Sequence, residues 1–189
     1  KPAALLFNTG YMANLGIISA LVDKDGIVFS DELNHASIID GARLSRAKIV
    51  VYKHNDMADL EAKLQMYAGR KGLIVSDAVF SMDGDILNLP EYVALGKKYN
   101  VLTMIDEAHA TGVIGATGKG AVEHFGCDEP DIIMGTLSKS LGSEGGFACA
   151  SQDIIDYLRN RARSFIFSTS QAPASLAAAL EAIRVMAKE

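Results

Sequence analysis

Tryptophan is absent from this chain, and cysteine occurs only at Cys127 and Cys149, with no CxxC or histidine-linked spacing. That excludes a disulfide framework and leaves little for a zinc or thiol-redox centre. Two buried thiols in a reducing cytoplasm are the plain expectation. An excess of basic charge is also missing: 18 Lys and Arg against 23 Asp and Glu leave −5, which argues against a nucleic-acid surface. No apolar run approaches the roughly 18 residues of a membrane span, and the start lacks the apolar core of a signal peptide. There is no initiator methionine, and Val185-Met186-Ala187-Lys188-Glu189 falls inside a helical pattern, so the chain is expected to be a piece of a larger protein. Internal repeats, low-complexity tracts and interdomain linkers are absent too. With 49% hydrophobic and 22% charged residues, the composition is that of one globular domain, residues 1–189.

What is present is an alternation of short apolar runs with helical patterns. Ala3 to Phe7, Ile27 to Ser30, Lys48 to Tyr52, Leu73 to Val75, Val101 to Ile105, Ile132 to Met134 and Phe147 to Ala150 read as strands. Helices are expected near Gly10–Leu21, Ser37–Leu44, Asp56–Tyr67 and Pro90–Tyr99, and from about Gln152 and Pro173. The alternation implies βαβ units, hence a three-layer α/β/α domain with a mainly parallel sheet. Right-handed crossovers then bring the ends of Leu73–Val75, Val101–Ile105 and Ile132–Met134 to one rim. Phe147–Ala150 follows its predecessor closely enough to be an antiparallel addition.

Asp77, Asp106 and the turn Thr136–Lys139 each stand just past one of those strands, where open α/β sheets keep their chemistry. An amine beside a carboxylate on such a rim is what a Schiff-base cofactor needs. Pyridoxal phosphate (PLP) uses a lysine and an acidic partner for its pyridine nitrogen. Asp106 suits the acidic role; the alternative is a rim aspartate that caps the next turn. A lone lysine in a loop with Gly142, Gly145 and Gly146 is ordinarily a solvated group, but Thr136 and Ser138 flank Lys139 with hydroxyls. His109, one turn beyond Asp106, can reach a phenolic oxygen, and His35 in Asn34-His35-Ala36-Ser37 can stack flat on a ring. His54 and His124 have no such setting and read as satisfied surface or core residues. Asn8-Thr9-Gly10-Tyr11 joins the first strand to the first helix, whose free N–H groups favour a phosphate. It is neither a Walker nor a GxGxxG loop, and one such helix start suits a single phosphate better than a dinucleotide.

The strings TGYMAN (9–14), SDELNHASIIDGARLSRAK (30–48), VFSMDGD (79–85), IDEAHATGVIG (105–115), GTLSKSLGSEGG (135–146) and FIFSTSQAP (165–173) run in order through nearly the whole chain. Together they resemble the α-oxoamine synthases of the fold-type I PLP enzymes, and within them the 8-amino-7-oxononanoate synthase and glycine C-acetyltransferase branches. The resemblance implies a PLP-binding large domain, with an amino-terminal segment and a carboxy-terminal small domain lying outside this chain, which alone would be inactive. It implies that Lys139 links to PLP, Asp106 pairs with the pyridine nitrogen, His109 contacts the phenolic oxygen and His35 stacks on the ring. Gly10, Tyr11 and Thr136 would hold the phosphate, and Asp77 and Ser81 would line the cofactor site. Ser168 or Thr169 would reach the phosphate of a neighbouring subunit, which makes the expected assembly a homodimer. Ala78 stands where glycine commonly follows the acidic residue, and a slightly altered loop is expected there.

The activity implied is condensation of a small amino acid (glycine or alanine) with an acyl-CoA, releasing CoA and usually CO2, in a cytoplasmic enzyme with no nucleic-acid or membrane partner. Two rivals remain: another fold-type I PLP enzyme, such as an aminotransferase or a sulfur-amino-acid lyase, or a non-catalytic dimerisation domain.

Overall fold

A computed structural model describes residues 1–188; Glu189, the last residue of the expected helical end, lies outside the described residues. The chain runs β1 (Ala3–Phe7), α1 (Gly10–Leu21), β2 (Ile27–Asp31), α2 (Ala36–Ser45), β3 (Lys48–Tyr52), α3 (Met57–Met66), β4 (Gly72–Asp77), α4 (Leu89–Tyr99), β5 (Leu102–Asp106), α5 (Ala121–Phe125), β6 (Ile132–Thr136), β7 (Gly146–Ala150), α6 (Gln152–Arg161), α7 (Arg163–Ile166) and α8 (Pro173–Met186). The strands form one seven-stranded sheet in the order β1-β7-β6-β5-β4-β2-β3. β2 to β6 are parallel, whereas β7 runs antiparallel to both β6 and β1.

The two-residue period of a strand explains why the sheet is covered on both faces. On β4, Leu73 and Val75 enter a cluster with Ile17 and Ile18 of α1, Ile38 of α2 and Leu158 of α6. Ile74, between them, enters the opposite cluster with Leu60 and Leu64 of α3 and Tyr92 and Val93 of α4. All these side chains are buried, and each contributes about 1.5–3 kcal/mol by leaving water. Tyr92, wholly buried, satisfies its hydroxyl by donating to Met104 O at 2.7 Å.

Helix starts are fixed locally. Thr9, Asp56 and Ser151 cap α1, α3 and α6 by accepting backbone N–H bonds, while prolines stand in the first turns of α4 and α8. α2 is capped by His35, whose ring accepts from Ser37 N.

From β2 the chain moves to β3 on one side and returns to β4 on the other, so strand order reverses between β2 and β4. The carboxyl ends of β2, β4, β5 and β6 share one rim, as the crossover rule requires. α5 and α7 were not expected from the sequence, being only 5 and 4 residues long. The expectation of two buried thiols is corrected: both cysteines are partly exposed. Cys149 alternates with the buried Ala148 and Ala150 and points to the less covered face of β7, while Cys127 lies in the loop after α5. Among the described residues, no helix is long and apolar enough to cross a membrane.

Candidate active site

At that rim a cavity of about 280 Å³ is lined by residues of five segments: Thr9–Asn14, His35–Ser37, Asp77, Asp106–His109 and Met134–Lys139. Of the residues expected at a cofactor site, Gly10, Tyr11, His35, Asp77, Asp106, His109, Thr136 and Lys139 meet here. Ser81, Ser168 and Thr169 do not.

The floor carries two carboxyls. Asp106 ends β5, is nearly excluded from solvent, and accepts from Asn14 Nδ2 at 2.7 Å and Ala108 N at 2.9 Å. Asp77 sits opposite it in register at the end of β4 and accepts from His35 N at 2.7 Å. Burial, and then the neighbouring charge of Asp106, push the Asp77 carboxyl up to about 8. Behind the rim, Asn34 fastens α2 to β4: its amide donates to Val75 O at 2.9 Å, and its oxygen accepts from Asp77 N at 3.0 Å. Ala78 is buried, donates to Asp106 O at 2.9 Å and stands outside the left-handed region that would have required glycine.

The wall opposite the carboxyls is a helix start. The N–H groups of Gly10 and Tyr11 make no hydrogen bond among the described residues, so α1 presents free donors at its positive end. The chain of β7 presses against this turn. A Cβ on Gly146 would stand 2.6 Å from Thr9 O and 2.7 Å from Gly10 Cα, so only glycine permits the approach. The Tyr11 hydroxyl donates to Asp40 on α2, tying the start of α1 to the middle of α2. Thr136 Oγ1 donates to Gly145 O at 2.8 Å and lies 2.8 Å from Ser138 Oγ, which shapes the turn that carries Lys139.

Both histidines line the cavity. Burial, and then the Lys139 charge, hold His109 below the usual imidazole range, and its Nδ1 is buried without a partner. His35 Nδ1 lies 2.7 Å from Ser37 Oγ and accepts from Ser37 N at 3.2 Å. Asn14 and Ser37 are the site residues that local sequence reasoning missed. Both stood inside recognised strings, TGYMAN and NHAS, yet nothing nearby in sequence shows that they touch each other and Asp106.

The three outliers have physical reasons. After the buried Phe80 the chain turns away, with Gly84 N bonding back to Phe80 O at 2.8 Å and Phe80 N to Asp85 O at 3.0 Å. Ser81 is therefore exposed on a turn outside the cavity lining. Thr169, in left-handed backbone at φ 61°, lines a separate surface depression with Leu6, Asn8 and Phe165, and Ser168 O accepts from Asn8 Nδ2 at 2.9 Å.

The sequence and the fold are similar to those of known proteins. The model of the aminotransferase class I and II family matches residues 1–188. The chain belongs to that family. It is 59% identical over 184 residues to 8-amino-7-oxononanoate synthase from Geobacter metallireducens, covering 96% of this chain and 47% of that protein. A protein from Acetivibrio thermocellus with the same name, qualified there as putative, is 53% identical over 188 residues, covering 99% and 48%. Among solved structures, a serine palmitoyltransferase from S. paucimobilis with PLP and myriocin bound superimposes with a TM-score of 0.94 at 39% identity, covering 98% of this chain and 47% of that one. The chain spans about half the length of the curated relatives it matches.

Proposed function

We propose that the full-length protein carrying this chain is a PLP-dependent acyltransferase of the α-oxoamine synthase type, joining glycine or alanine to an acyl-CoA with release of CoA and usually CO2. The observation that carries this reading is the meeting of Lys139, Asp106, His109 and His35 around one cavity beside the free N–H groups of α1. Relatives named 8-amino-7-oxononanoate synthase, 50–59% identical, support the choice of reaction.

The residues present fit PLP. The buried, unpartnered His109 Nδ1 is a hydrogen-bonding group still in need of a partner, and the start of α1 offers N–H donors suited to a phosphate. Asp106 offers a carboxylate for a cationic ring nitrogen. When bound, PLP supplies an electron-withdrawing ring that stabilises negative charge at the α-carbon of the amino acid. Lys139 provides the amine that holds the cofactor and then moves a proton at that α-carbon. Asp106 keeps the ring nitrogen protonated, and Asn14 and the Ala108 N–H hold its two oxygens in place. His35, which lines the cavity, would stack against the ring and offer a hydrogen bond to the acyl carbonyl.

The proposal extends to a cytoplasmic homodimer in which Ser168 or Thr169 serves a neighbouring subunit's phosphate. Thr169 lines a surface depression, and neither residue lines the chain's own cavity, which supports that role. The test is an assay of the full-length protein with glycine or alanine against acetyl-CoA and pimeloyl-CoA. CoA release that needs both substrates is expected. Transamination with a 2-oxo acid and no CoA release would replace this reading with an aminotransferase.

A further inference from the structure

A line of hydrogen bonds crosses the cavity wall from Asp106 to His35 through the side chains of Asn14 and Ser37. Asn14 Nδ2 lies 2.7 Å from Asp106 Oδ2 and 2.8 Å from Ser37 Oγ, and Ser37 Oγ lies 2.7 Å from His35 Nδ1. Asn14 and Ser37 are almost wholly buried, at 0% and 1% exposure, so water does not compete for the bonds that join them to each other and to Asp106, while His35 at the end of the line is exposed. We propose that Asn14 and Ser37 are positioning residues that fix the tautomer of His35, so that its ring meets the cavity as an Nε2–H donor. The acyl carbonyl as the group that receives this N–H rests on the proposed function; the tautomer does not.

The direction of each bond follows from two fixed ends: the Asp106 carboxylate accepts and the Ser37 backbone N–H donates. A carboxylate only accepts, so the Asn14 amide must turn its NH2 toward Asp106; the reversed amide would set Oδ1 against a carboxylate oxygen at 2.7 Å. That NH2 has two protons, one for Asp106 and one for Ser37 Oγ. With Ser37 Oγ already accepting, its own proton is free to point at His35 Nδ1. The Ser37 N–H also points at Nδ1, from 3.2 Å. Nδ1 thus accepts from both, and a neutral imidazole with a bare Nδ1 carries its proton on Nε2. Among the described residues no group accepts from that Nε2–H. A ring held in this way offers a hydrogen-bond donor to a carbonyl oxygen, and its tautomer is tied to the same carboxylate that lies on the cavity floor.

The test is long-range ¹H–¹⁵N correlation on the neutral histidine rings of ¹⁵N-histidine-labelled full-length protein without PLP, with His35 assigned by its loss in His35→Asn. The expected spectrum shows a proton on Nε2 and a bare Nδ1 for His35. Ser37→Ala, which removes one of the two donors, should shift the ring toward a mixture of tautomers and lower kcat/KM for the acyl-CoA about tenfold, or roughly 1.4 kcal/mol. Ser37→Thr, which keeps a hydroxyl, should restore both. A neutral wild-type His35 with its proton on Nδ1 would overturn the proposal, as would identical tautomer signals in wild type and Ser37→Ala. The Nε2–H form in a protein that releases no CoA upholds the relay and removes only the proposed reaction. CoA release from a protein whose His35 carries Nδ1–H removes only the relay.

Discussion

Asp77 and Asp106 stand opposite each other in register at the ends of two neighbouring parallel strands, and both are nearly shut off from solvent. Burial first, and the Asp106 charge second, raise the Asp77 carboxyl to about 8 from an ordinary 3.8; the His35 N–H and the Lys139 charge offset this only in part. Because the folded value lies above the unfolded one, the native protein keeps a proton that the unfolded chain releases between roughly pH 4 and 8. Stability therefore falls as pH rises through that window, by up to about 1.4 kcal/mol per pH unit from this group. Asp77→Asn keeps an acceptor for His35 N and removes the ionisation. Urea unfolding of the PLP-free protein should show a flatter stability profile for Asp77→Asn between about pH 5 and 8. A profile as steep as wild type would mean that Asp77 is not the group responsible.

His54 ties its own loop to the end of β2 and to the loop after β4. Its Nδ1 lies 3.0 Å from Asp31 Oδ1 and its Nε2 2.8 Å from Asp85 Oδ2, while its ring meets the edge of Phe80 at a centroid distance of 4.4 Å. Burial alone would lower its pKa, but the two carboxylates together outweigh that and raise it. A raised histidine stabilises fully below its unfolded value near 6.5, and the contribution is lost as pH rises through the folded value. His54→Ala should cost about 2–3 kcal/mol at pH 6, since the buried Asp31 loses a charged partner, and less at pH 9. A loss of equal size at both pH values would show that His54 acts by packing and not by charge.

The contact of Gly146 with the turn at Gly10 makes a separate prediction. Gly146→Ala drives a methyl group against Thr9 O and Gly10 Cα, backbone atoms that cannot rotate away. Displacing that turn moves the free N–H groups of α1, so affinity for PLP should fall about tenfold or more, for an overpacking cost of about 1–3 kcal/mol. Titration with PLP followed by its absorbance measures this; unchanged affinity would separate the helix start from phosphate binding.

Most of the sheet was legible because its strands are buried on both faces. Leu73-Ile74-Val75 could only be a covered strand, and its two-residue period sends Ile74 to one cluster and its neighbours to the other. Asp77, Asp106 and Lys139 were legible as a group because each comes just after such a run, and parallel strands bring the residues at their carboxyl ends to one rim. Less visible was anything set by distant pairing. Asn14 reaches Ser37 across 23 residues and Asp106 across 92, and no local pattern records either bond. His54 read as a satisfied residue, which it is, but its carboxylate partners at the end of β2 and in the loop after β4 could not be named. Helices α5 and α7 are too short to produce a period. The exposure of Cys149 depends on which face of β7 the helices leave thinly covered.

The central proposal is that Lys139 would bind PLP through its amine, with Asp106 as the acidic partner of the ring nitrogen. Reducing the PLP-loaded full-length protein with borohydride and sequencing its peptides by mass spectrometry tests this most directly. A pyridoxyl group on the peptide containing Lys139, lost in Lys139→Ala, is the expected result. A modified lysine elsewhere, or no modified lysine in protein saturated with PLP, would contradict the account.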